Sequence, residues 1–543
     1  MIAALGRRAG ALAADPTLRR WTLARISGRV RAPDLSQRRP PYLDGVASAT
    51  SFLTSEPFTE LAAAPPLRAI VLPLPGEAVR VVPGEEEAVF RRRFADIETL
   101  LALHRFSWVP LMGETLDPAW VLALWRGWMR TSFPPREGWA WHPYTVAERA
   151  INILDFARRH GLPAPSAESR SALQAHAPAI LGALEYFGDS YTSNHLANNG
   201  RGLFLLGLAL GDAASADIGG RILLNEAKRI FLPSGVLREG STHYHALLTD
   251  RYAEVALAAR RHGRSEAEAL QETAQRAGSV AQEFFFLGGM PLIGDISPDV
   301  PPNVLTSRLT GFGSHPPDRA ALVRDGWAAI SADDRSNWSI LTYASPGGWP
   351  PLPGHGHQDM SSFQLHHLAE VVIQDPGRGT YMHTGDVSAA AQNGISISNT
   401  DPYPTNRAYY DNDFRREVGG PPPELHVGAD ELTVAHDGFA RLSGVGRAIR
   451  RWRLASRTVA IEDEIAGNGK RRVTRRFHTT LPVRVDGGAA ILGERYRLRG
   501  DGDLRLHPAI CWTAYGDGTG ATRIEIAANA TLPTRMRVEI EIV

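Results

Sequence analysis

The chain has 543 residues, of which 43% are hydrophobic and 22% charged, the balance of a folded globular protein rather than a disordered one. Lys and Arg number 59 against 58 Asp and Glu, so the net charge of +1 gives no case for nucleic-acid binding. The single cysteine, Cys511, excludes an internal disulfide framework and a cysteine-rich zinc site.

Residues 1–85 are predicted to form an N-terminal extension that packs on the next domain. Arg7 and Arg8 interrupt the short apolar stretches at the start, which therefore lack a convincing signal peptide. This favours a cytoplasmic protein, with a periplasmic one as the alternative. No apolar run reaches the roughly eighteen residues of a membrane span. Residues 67–83 alternate in character and are predicted to be extended.

Residues 86–330 carry the apolar spacing of amphipathic helices, in segments separated by turns rich in Gly, Pro and Ser. Paired helices without intervening strands favour an α/α toroid or an α-solenoid. Besides three segments between 86 and 161, the predicted helices cover 166–187, 199–211, 217–230, 243–262 and 264–287.

Residues 331–543 alternate apolar and polar residues between turns such as Gly467-Asn468-Gly469, which predicts an antiparallel β-sandwich. The change of pattern falls near residues 325–337. The expected fold class is therefore α+β and multidomain, with the helical domain first and the sandwich second.

Asparagines and a histidine gather before an apolar helix in the segment Asn194-His195-Leu196-Ala197-Asn198. Simple helix capping is one interpretation. Three amides with Asn199 and an imidazole exceed what a cap requires, which favours an anion site at the helix N-terminus.

A second polar cluster is Glu239-Gly240-Ser241-Thr242-His243-Tyr244-His245, in which Ser241 is predicted to cap the following helix. Taken alone, Tyr244 is more often a core residue than a functional one. Because the segment is helical, not all of its aromatic and imidazole groups can face a ligand.

In the segment Gly354-His355-Gly356-His357-Gln358-Asp359, glycines flank two alternate histidines, and Asp375 follows the next strands. Alternate residues of an extended chain point to one side, an arrangement suited to a metal or to acid–base chemistry. A histidine-rich surface loop is the other interpretation.

Trp141, Tyr144 and Arg149 form a further cluster, with Glu148 beside them. Aromatic rings suit stacking on sugars, and an arginine suits a carboxylate or sulfate. Ordinary aromatic packing between helices explains the cluster equally well.

In this order, the clusters resemble the heparinase II/III superfamily of polysaccharide lyases over roughly residues 95–485. The resemblance lies in five segments: Trp141–Arg149, Asn194–Asn199, EGSTHYH at 239–245, GHGHQDMSSFQL at 354–365, and DPGRGTY at 375–381. It implies an incomplete α/α toroid followed by a β-sandwich, and β-elimination on a uronate-containing acidic glycan.

By this resemblance, Asn194 neutralises the uronate carboxylate, Tyr244 protonates the leaving oxygen, and His195 and His355 act as base or carboxylate partner. The same resemblance, with the chemistry of the clusters, makes the other polar and aromatic residues of these segments substrate-binding candidates. They are Trp141, Tyr144, Arg149, Asn198, Glu239 and His245.

Some members of the superfamily hold a structural zinc, whose ligands here correspond to His357 and Asp375. Ser398 stands where the third ligand, a histidine, is expected, and serine is a poor zinc ligand. His383 is a substitute that the sequence cannot place.

Three alternatives remain open at this point. A glycoside hydrolase on an α/α toroid needs two carboxylates, for which Glu148, Glu239 and Asp359 are available. An iron oxygenase would use His355, His357 and Asp375 but leaves the helical half unexplained. A catalytically inactive glycan-binding protein of the same fold is the third; the oligomeric state and the polymer are not indicated.

Overall fold

The computed structural model describes residues 12, 15–31, 33–45, 53–135, 137–313, 316–331, 337–345, 356–382, 387–404, 410 and 412–543. Helices dominate up to Arg324, and strands dominate from Trp327 onward. The predicted order of a helical domain followed by a sheet-rich domain is therefore confirmed.

The helical domain consists of helices that pack in antiparallel pairs around two continuous apolar cores. At the tightest crossing, a Cβ on Gly219 would lie 2.4 Å from the backbone nitrogen of Phe204, so only glycine fits there. The helices of this domain are α2 Ile97–Arg105, α3 Trp108–Met112, α4 Pro118–Ser132, α5 Pro143–His160, α6 Ser166–Gln174, α7 His176–Leu181, α8 His195–Leu210, α9 Ala213–Ile230, α10 Thr242–Arg261, α11 Ala267–Glu283 and α12 Pro302–Leu309.

The predicted helix over 166–187 is shorter than expected. It breaks at Ala175 and ends at Leu181, and the chain beyond it is extended. The backbone nitrogen of Glu185 donates to Oδ1 of Asn199 at 3.0 Å, a bond that a continued helix would prevent. This extended segment carries a residue of the candidate site.

The sequence predicted that the N-terminal extension packs on the helical domain. In the structure the extension contacts both domains. Helix α1 (Pro16–Ile26) packs on the sheet-rich domain, where Trp21 lies 4.7 Å from the Tyr410 ring and Asp15 pairs with Arg441. Residues 37–43 and the hairpin of β2 (Ile70–Leu74) and β3 (Glu77–Val81) pack on the helices. Two short strands, β1 (Glu60–Leu61) and β4 (Leu162–Pro163), tie this extension to the end of α5.

The sheet-rich domain contains one 8-stranded sheet and two 4-stranded sheets, which share an apolar core around Trp452 and Phe363. Helix α13 (Arg319–Arg324) precedes it and α14 (Asn412–Gly419) packs beside α1. Its strands are β5 Trp327–Ser331, β6 Trp338–Tyr343, β7 Ser362–His367, β8 Glu370–Ile373, β9 Ile395–Ile397, β10 Glu424–Val427, β11 Glu431–His436, β12 Val445–Ala455, β13 Thr458–Gly467, β14 Lys470–Thr479, β15 Val483–Asp486, β16 Ala489–Leu492, β17 Tyr496–Gly500, β18 Asp503–Ala514, β19 Asp517–Thr531 and β20 Thr534–Ile542.

The first strand of this domain begins a few residues earlier than the predicted boundary at 330/331. Strand β5 pairs antiparallel with β6 and so belongs to the sheets rather than to the helices. The pairing joins Trp327 to Tyr343 and Ser331 to Ser339.

The two domains meet along a hairpin and a loop. Tyr515, at the tip of the β18–β19 hairpin, donates a hydrogen bond to Asp96 at the start of α2, at 3.0 Å. In the loop after α11, the Ile296 nitrogen donates to the Arg378 carbonyl at 2.9 Å, and the Arg378 nitrogen donates to Gly294 at 3.1 Å. The candidate functional residues gather along this seam.

Among the described residues, no helix has the length and hydropathy needed to cross a membrane.

Candidate active site

His195 lies in the first turn of α8 with its side chain 38% exposed, beside a buried carboxylate. Its Nδ1 is 2.7 Å from Oε1 of Glu185, and Oε2 of Glu185 accepts from Asn199 at 3.0 Å. Burial raises the pKa of Glu185, but His195, His142 and Asn199 together lower it by more, so the carboxyl stays ionised. A carboxylate at this position holds the proton of the imidazole on Nδ1 and leaves Nε2 able to accept one.

Tyr144 supports the other side of His195. The two ring centroids are 4.6 Å apart, and the buried Tyr144 hydroxyl donates to Asp299 at 2.5 Å while accepting from Arg251 at 2.7 Å. Arg105 also pairs with Asp299, at 2.9 Å. Tyr144 therefore fixes the position of the imidazole through its ring face, and its hydroxyl is already engaged inside the protein.

Asn194 binds an internal carboxylate instead of capping its helix. Its backbone nitrogen and its Nδ2 donate to the two oxygens of buried Glu239 at 2.8 and 2.7 Å. The predicted convergence of donors on negative charge is present, but Glu185 and Glu239 supply that charge. In the segment 194–199, two buried amide atoms have no hydrogen-bond partner among the described residues. They are Oδ1 of Asn194 and Nδ2 of Asn198.

Tyr244 lies on the first turn of α10, whose N-terminus is capped by Ser241 as the sequence predicted; Ser241 Oγ accepts from the Tyr244 nitrogen at 3.0 Å. The Tyr244 hydroxyl is 2.8 Å from that of Tyr381, which comes from the sheet-rich domain. Burial and the Asp295 carboxylate raise the pKa of Tyr244 well above its ordinary value. The expected lowering of this pKa by positive charge is therefore not found, and Tyr244 is a protonated phenol suited to donate a proton.

His357 forms a buried ion pair near the same tyrosines. Its Nε2 is 2.6 Å from Oδ1 of Asp295, which Arg378 approaches at 3.5 Å. Burial lowers the pKa of His357, but Asp295 raises it by more. The guanidinium of Arg378 lies 4.7 Å from the centre of the Tyr381 ring, so this pair, Arg378 and the tyrosines form one contiguous cluster.

Zinc binding stays a prediction, and the two expected ligands that the structure describes are engaged by other protein groups. Asp375 accepts hydrogen bonds from Ser362 at 2.6 Å and from the Gly377 nitrogen at 3.0 Å, while His357 is engaged by Asp295. Ser398, at the position of the expected third ligand, lies exposed on a turn. Within the described ranges, no group of three or more His, Cys, Asp or Glu side chains is arranged to hold a metal ion.

Arg149 and Trp141 do not fit the substrate-binding role expected of them. Arg149 has no exposed surface and donates to the His104 and Ala140 carbonyls at 3.1 and 2.8 Å and to His176 at 2.9 Å. Trp141 lies beside it and donates from Nε1 to a backbone carbonyl. Both side chains face the core between helices, which is the packing interpretation of this cluster.

His245 is also internal. Its Nδ1 accepts from the Leu237 nitrogen at 3.1 Å, and its Nε2 lies 3.0 Å from the Ala277 carbonyl. Burial lowers the pKa of His245 to about 4, so the ring is neutral. With both nitrogens engaged by backbone groups, it does not fit the predicted role in binding substrate.

Two histidines from the sequence analysis, His355 and His383, lie outside the described residues. Conversely, the structure brings in three residues that the sequence motifs did not indicate: Glu185, Asp295 and Asp299. It also brings in Tyr381, the last residue of the DPGRGTY segment, to which the sequence analysis gave no role. The loop Gly294-Asp295-Ile296-Ser297-Pro298-Asp299 was the available signal, because two acidic residues in a short turn-rich loop after a helix are candidates for a site.

Comparisons with known proteins agree with this architecture. Residues 314–539 match the family model described as Heparinase II/III-like, C-terminal. Heparinase III is 15% identical over 83% of this chain and 78% of that one, with a TM-score of 0.64. A second heparinase III structure is 15% identical over 84% and 80%, with a TM-score of 0.58. Heparan sulfate lyase HepC from Pedobacter heparinus is 13% identical over 86% and 79%, with a TM-score of 0.52.

The fold is thus that of a toroid-plus-sandwich protein, with a cluster of polar side chains around Tyr244 and Tyr381 where the two domains meet. Its C-terminal region matches the heparinase II/III-like family model, as the motifs predicted, and the fold of the chain is similar to that of heparinase III. The comparison with curated protein sequences found no match.

Proposed function

We propose that this protein is a lyase that cleaves a uronate-containing acidic glycan by β-elimination. The observation that carries the proposal is the pairing of a half-exposed imidazole, His195, with the ionised buried carboxylate of Glu185 at 2.7 Å. Such a pair holds an imidazole in the tautomer whose second nitrogen can accept a proton, which β-elimination needs and a simple binding site does not.

In the proposed reaction, Nε2 of His195 removes the proton from C5 of the uronate. The electron pair forms the C4–C5 double bond as the bond from C4 to the glycosidic oxygen breaks. Tyr244 donates its phenolic proton to that leaving oxygen. His195 then gives up its added proton to solvent, and the Tyr244 phenolate takes a proton from solvent, which returns both groups to their starting states.

Charge builds up on the uronate carboxylate when C5 loses its proton, so donors aimed at that group stabilise the transition state. The buried Nδ2 of Asn198 has no partner among the described residues, and Nδ2 of Asn194 has a second hydrogen beyond the one given to Glu239. These two amides are the groups that we assign to the carboxylate. His355, outside the described residues, stays a candidate from the family resemblance.

The hydrolase alternative has less support in the geometry. Glu148 is buried and paired with Arg201 at 2.8 Å and with Arg251 at 2.9 Å, and Glu239 accepts two hydrogen bonds from Asn194. Carboxyl groups held in this way are poorly placed to flank a sugar bond as acid and base.

The test is the ultraviolet absorbance of a new C4–C5 double bond during incubation with uronate polysaccharides, namely heparan sulfate, alginate and an acidic bacterial exopolysaccharide. Wild-type protein is expected to raise the absorbance with at least one of them. Tyr244→Phe is expected to fold normally and lose at least about 1,000-fold in kcat, since the general acid is gone. Tyr381→Phe is the matched control, because it removes the neighbouring hydroxyl and is expected to keep the proton donor and most of the rate.

New reducing ends without any absorbance change would contradict the proposal and favour hydrolysis. Equal rates for Tyr244→Phe and the wild type would remove Tyr244 from the mechanism.

A further inference from the structure

A cavity of about 500 Å³ lies on the sheet-rich domain, and its volume is within the range of small-ligand pockets. Its walls are the outer face of the sheet containing β14, β18 and β19, the turn at Pro376 and Gly377, and residues 388–391. That turn belongs to the same segment as Tyr381. The cavity therefore adjoins the segment that contributes to the candidate active site, while its lining contains none of the residues assigned to catalysis.

Three side chains form a row across this sheet. Strand register places His507 opposite Arg523, and Arg523 opposite His478, so all three project from the same face. Arg523 and His478 line the cavity. Cross-strand neighbours on one face are close enough to act on one ligand.

Arg523 is a cation without a counter-charge. It forms no ion pair with any described residue, its Nε is buried without a hydrogen-bond partner, and its Nη1 reaches only the Ala390 carbonyl at 3.4 Å. The neighbouring Arg476, by contrast, is paired with Glu525 at 3.3 Å. A buried guanidinium nitrogen that lacks a partner is costly, and an anion in the cavity would remove that cost.

The cavity lining also includes an aromatic side chain. Trp512, on β18, is half-buried and packs on the backbone of Gly379, where a Cβ would lie 2.6 Å from the indole ring. Pro508 and Ile510 extend the apolar surface, and Ile510 is 53% exposed. An indole and a guanidinium that line one cavity are a combination suited to a sugar ring that carries an acidic group.

We propose that this cavity is a second glycan-binding site, which takes one anionic sugar unit of the polymer outside the cleavage site. The carboxylate or sulfate of the sugar binds Arg523, and the sugar ring stacks on Trp512. The inference rests on the proposed function in taking an acidic glycan as the ligand. It adds a site that holds the chain at a distance from the bond being broken.

Calorimetric titration in the Tyr244→Phe background measures binding without turnover. The probes are a heparin-derived tetrasaccharide for sulfate, a tetragalacturonate for carboxylate, and cellotetraose as the neutral control. We expect Arg523→Gln to lose one binding event, or at least about tenfold in its affinity, as for one charge-assisted hydrogen bond. Arg523→Lys is expected to retain part of the affinity. Arg505→Gln, at an exposed arginine on β18, is the matched control and is expected to bind normally.

Unchanged stoichiometry and affinity in folded Arg523→Gln would overturn the proposal, as would failure of the parent to bind either acidic probe at a second site. Binding of cellotetraose equal to that of the acidic probes would also overturn it. The elimination assay separates this outcome from the proposed function. If the protein catalyses elimination but Arg523→Gln does not change binding, only the second site is contradicted. If binding depends on Arg523 but no elimination occurs, only the lyase function is contradicted.

Discussion

Replacing Glu185 by glutamine tests whether the carboxylate behind His195 keeps that imidazole able to accept a proton. The carboxylate accepts from Nδ1 at 2.7 Å and so fixes the proton on that nitrogen. A glutamine can instead donate to Nδ1, which places the proton on Nε2 and blocks the base. Loss of the corresponding carboxylate in catalytic triads costs about 10,000-fold in kcat through the wrong tautomer.

His195 is partly exposed here, and solvent weakens the preference for one tautomer, so we expect a loss of about 100- to 1,000-fold in kcat, or about 3–4 kcal/mol. Because Glu185 is buried behind the imidazole and its second oxygen can still accept from Asn199, KM and the fold should change little. The measurement is steady-state kinetics of double-bond formation, with thermal unfolding as the check on folding. Glu168→Gln, at an exposed glutamate on α6, is the control. A folded Glu185→Gln variant within about threefold of the wild-type kcat would refute the assignment of His195 as a base positioned by Glu185.

Three further predictions address the surroundings of the site. Arg149→Lys should lower the free energy of unfolding by about 2–4 kcal/mol in chemical denaturation, because lysine cannot replace the donors to His104, Ala140 and His176. KM should stay unchanged. A raised KM with full stability would contradict the buried placement of Arg149. His245→Gln should make unfolding less sensitive to acid. Burial lowers the pKa of His245 to about 4 in the folded protein, against about 6.5 in the unfolded chain, so the contribution of His245 to the free energy of unfolding falls by about 2 kcal/mol from about pH 7 to about pH 5. An unchanged pH dependence of unfolding in the variant would contradict the neutral, buried state of His245. Asn198→Asp keeps the size of the side chain but places a carboxylate beside that of the substrate, and should lower kcat/KM about tenfold or more. A normal kcat/KM in this variant would show that Asn198 does not bind the substrate carboxylate.

The fold was largely predictable because apolar periodicity reports directly on secondary structure. The spacing in residues 67–83 predicted an extended segment, and the structure has the β2–β3 hairpin there. The end of the 166–187 segment was missed because its composition suits a helix, while its extended form depends on Asn199, a partner from another element. The packing of α1 on the sheet-rich domain was missed for the same reason, since Trp21 packs on Tyr410, which is far away in the sequence.

The candidate site was predictable only where a residue belongs to a dense motif. Asn194, His195 and Tyr244 stood out in this way, and Tyr244 contacts Tyr381 of the sheet-rich domain. Arg149 and His245 stood out equally but are buried, because a motif does not reveal which side of a helix faces the core. Glu185 could not be found from local sequence, since it acquires its role only through its contact with His195. Tyr381 belongs to a quoted motif, but its contact with Tyr244 is made only by the tertiary fold.

The central claim is that the bond is broken by elimination, and turnover in water labelled with heavy oxygen tests it most directly. Elimination adds no water, so mass spectrometry should find two products whose masses sum to that of the substrate, with no label in the new unsaturated end. Products that together gain one water, and that carry the heavy oxygen at the new reducing end, would contradict the account and identify a hydrolase.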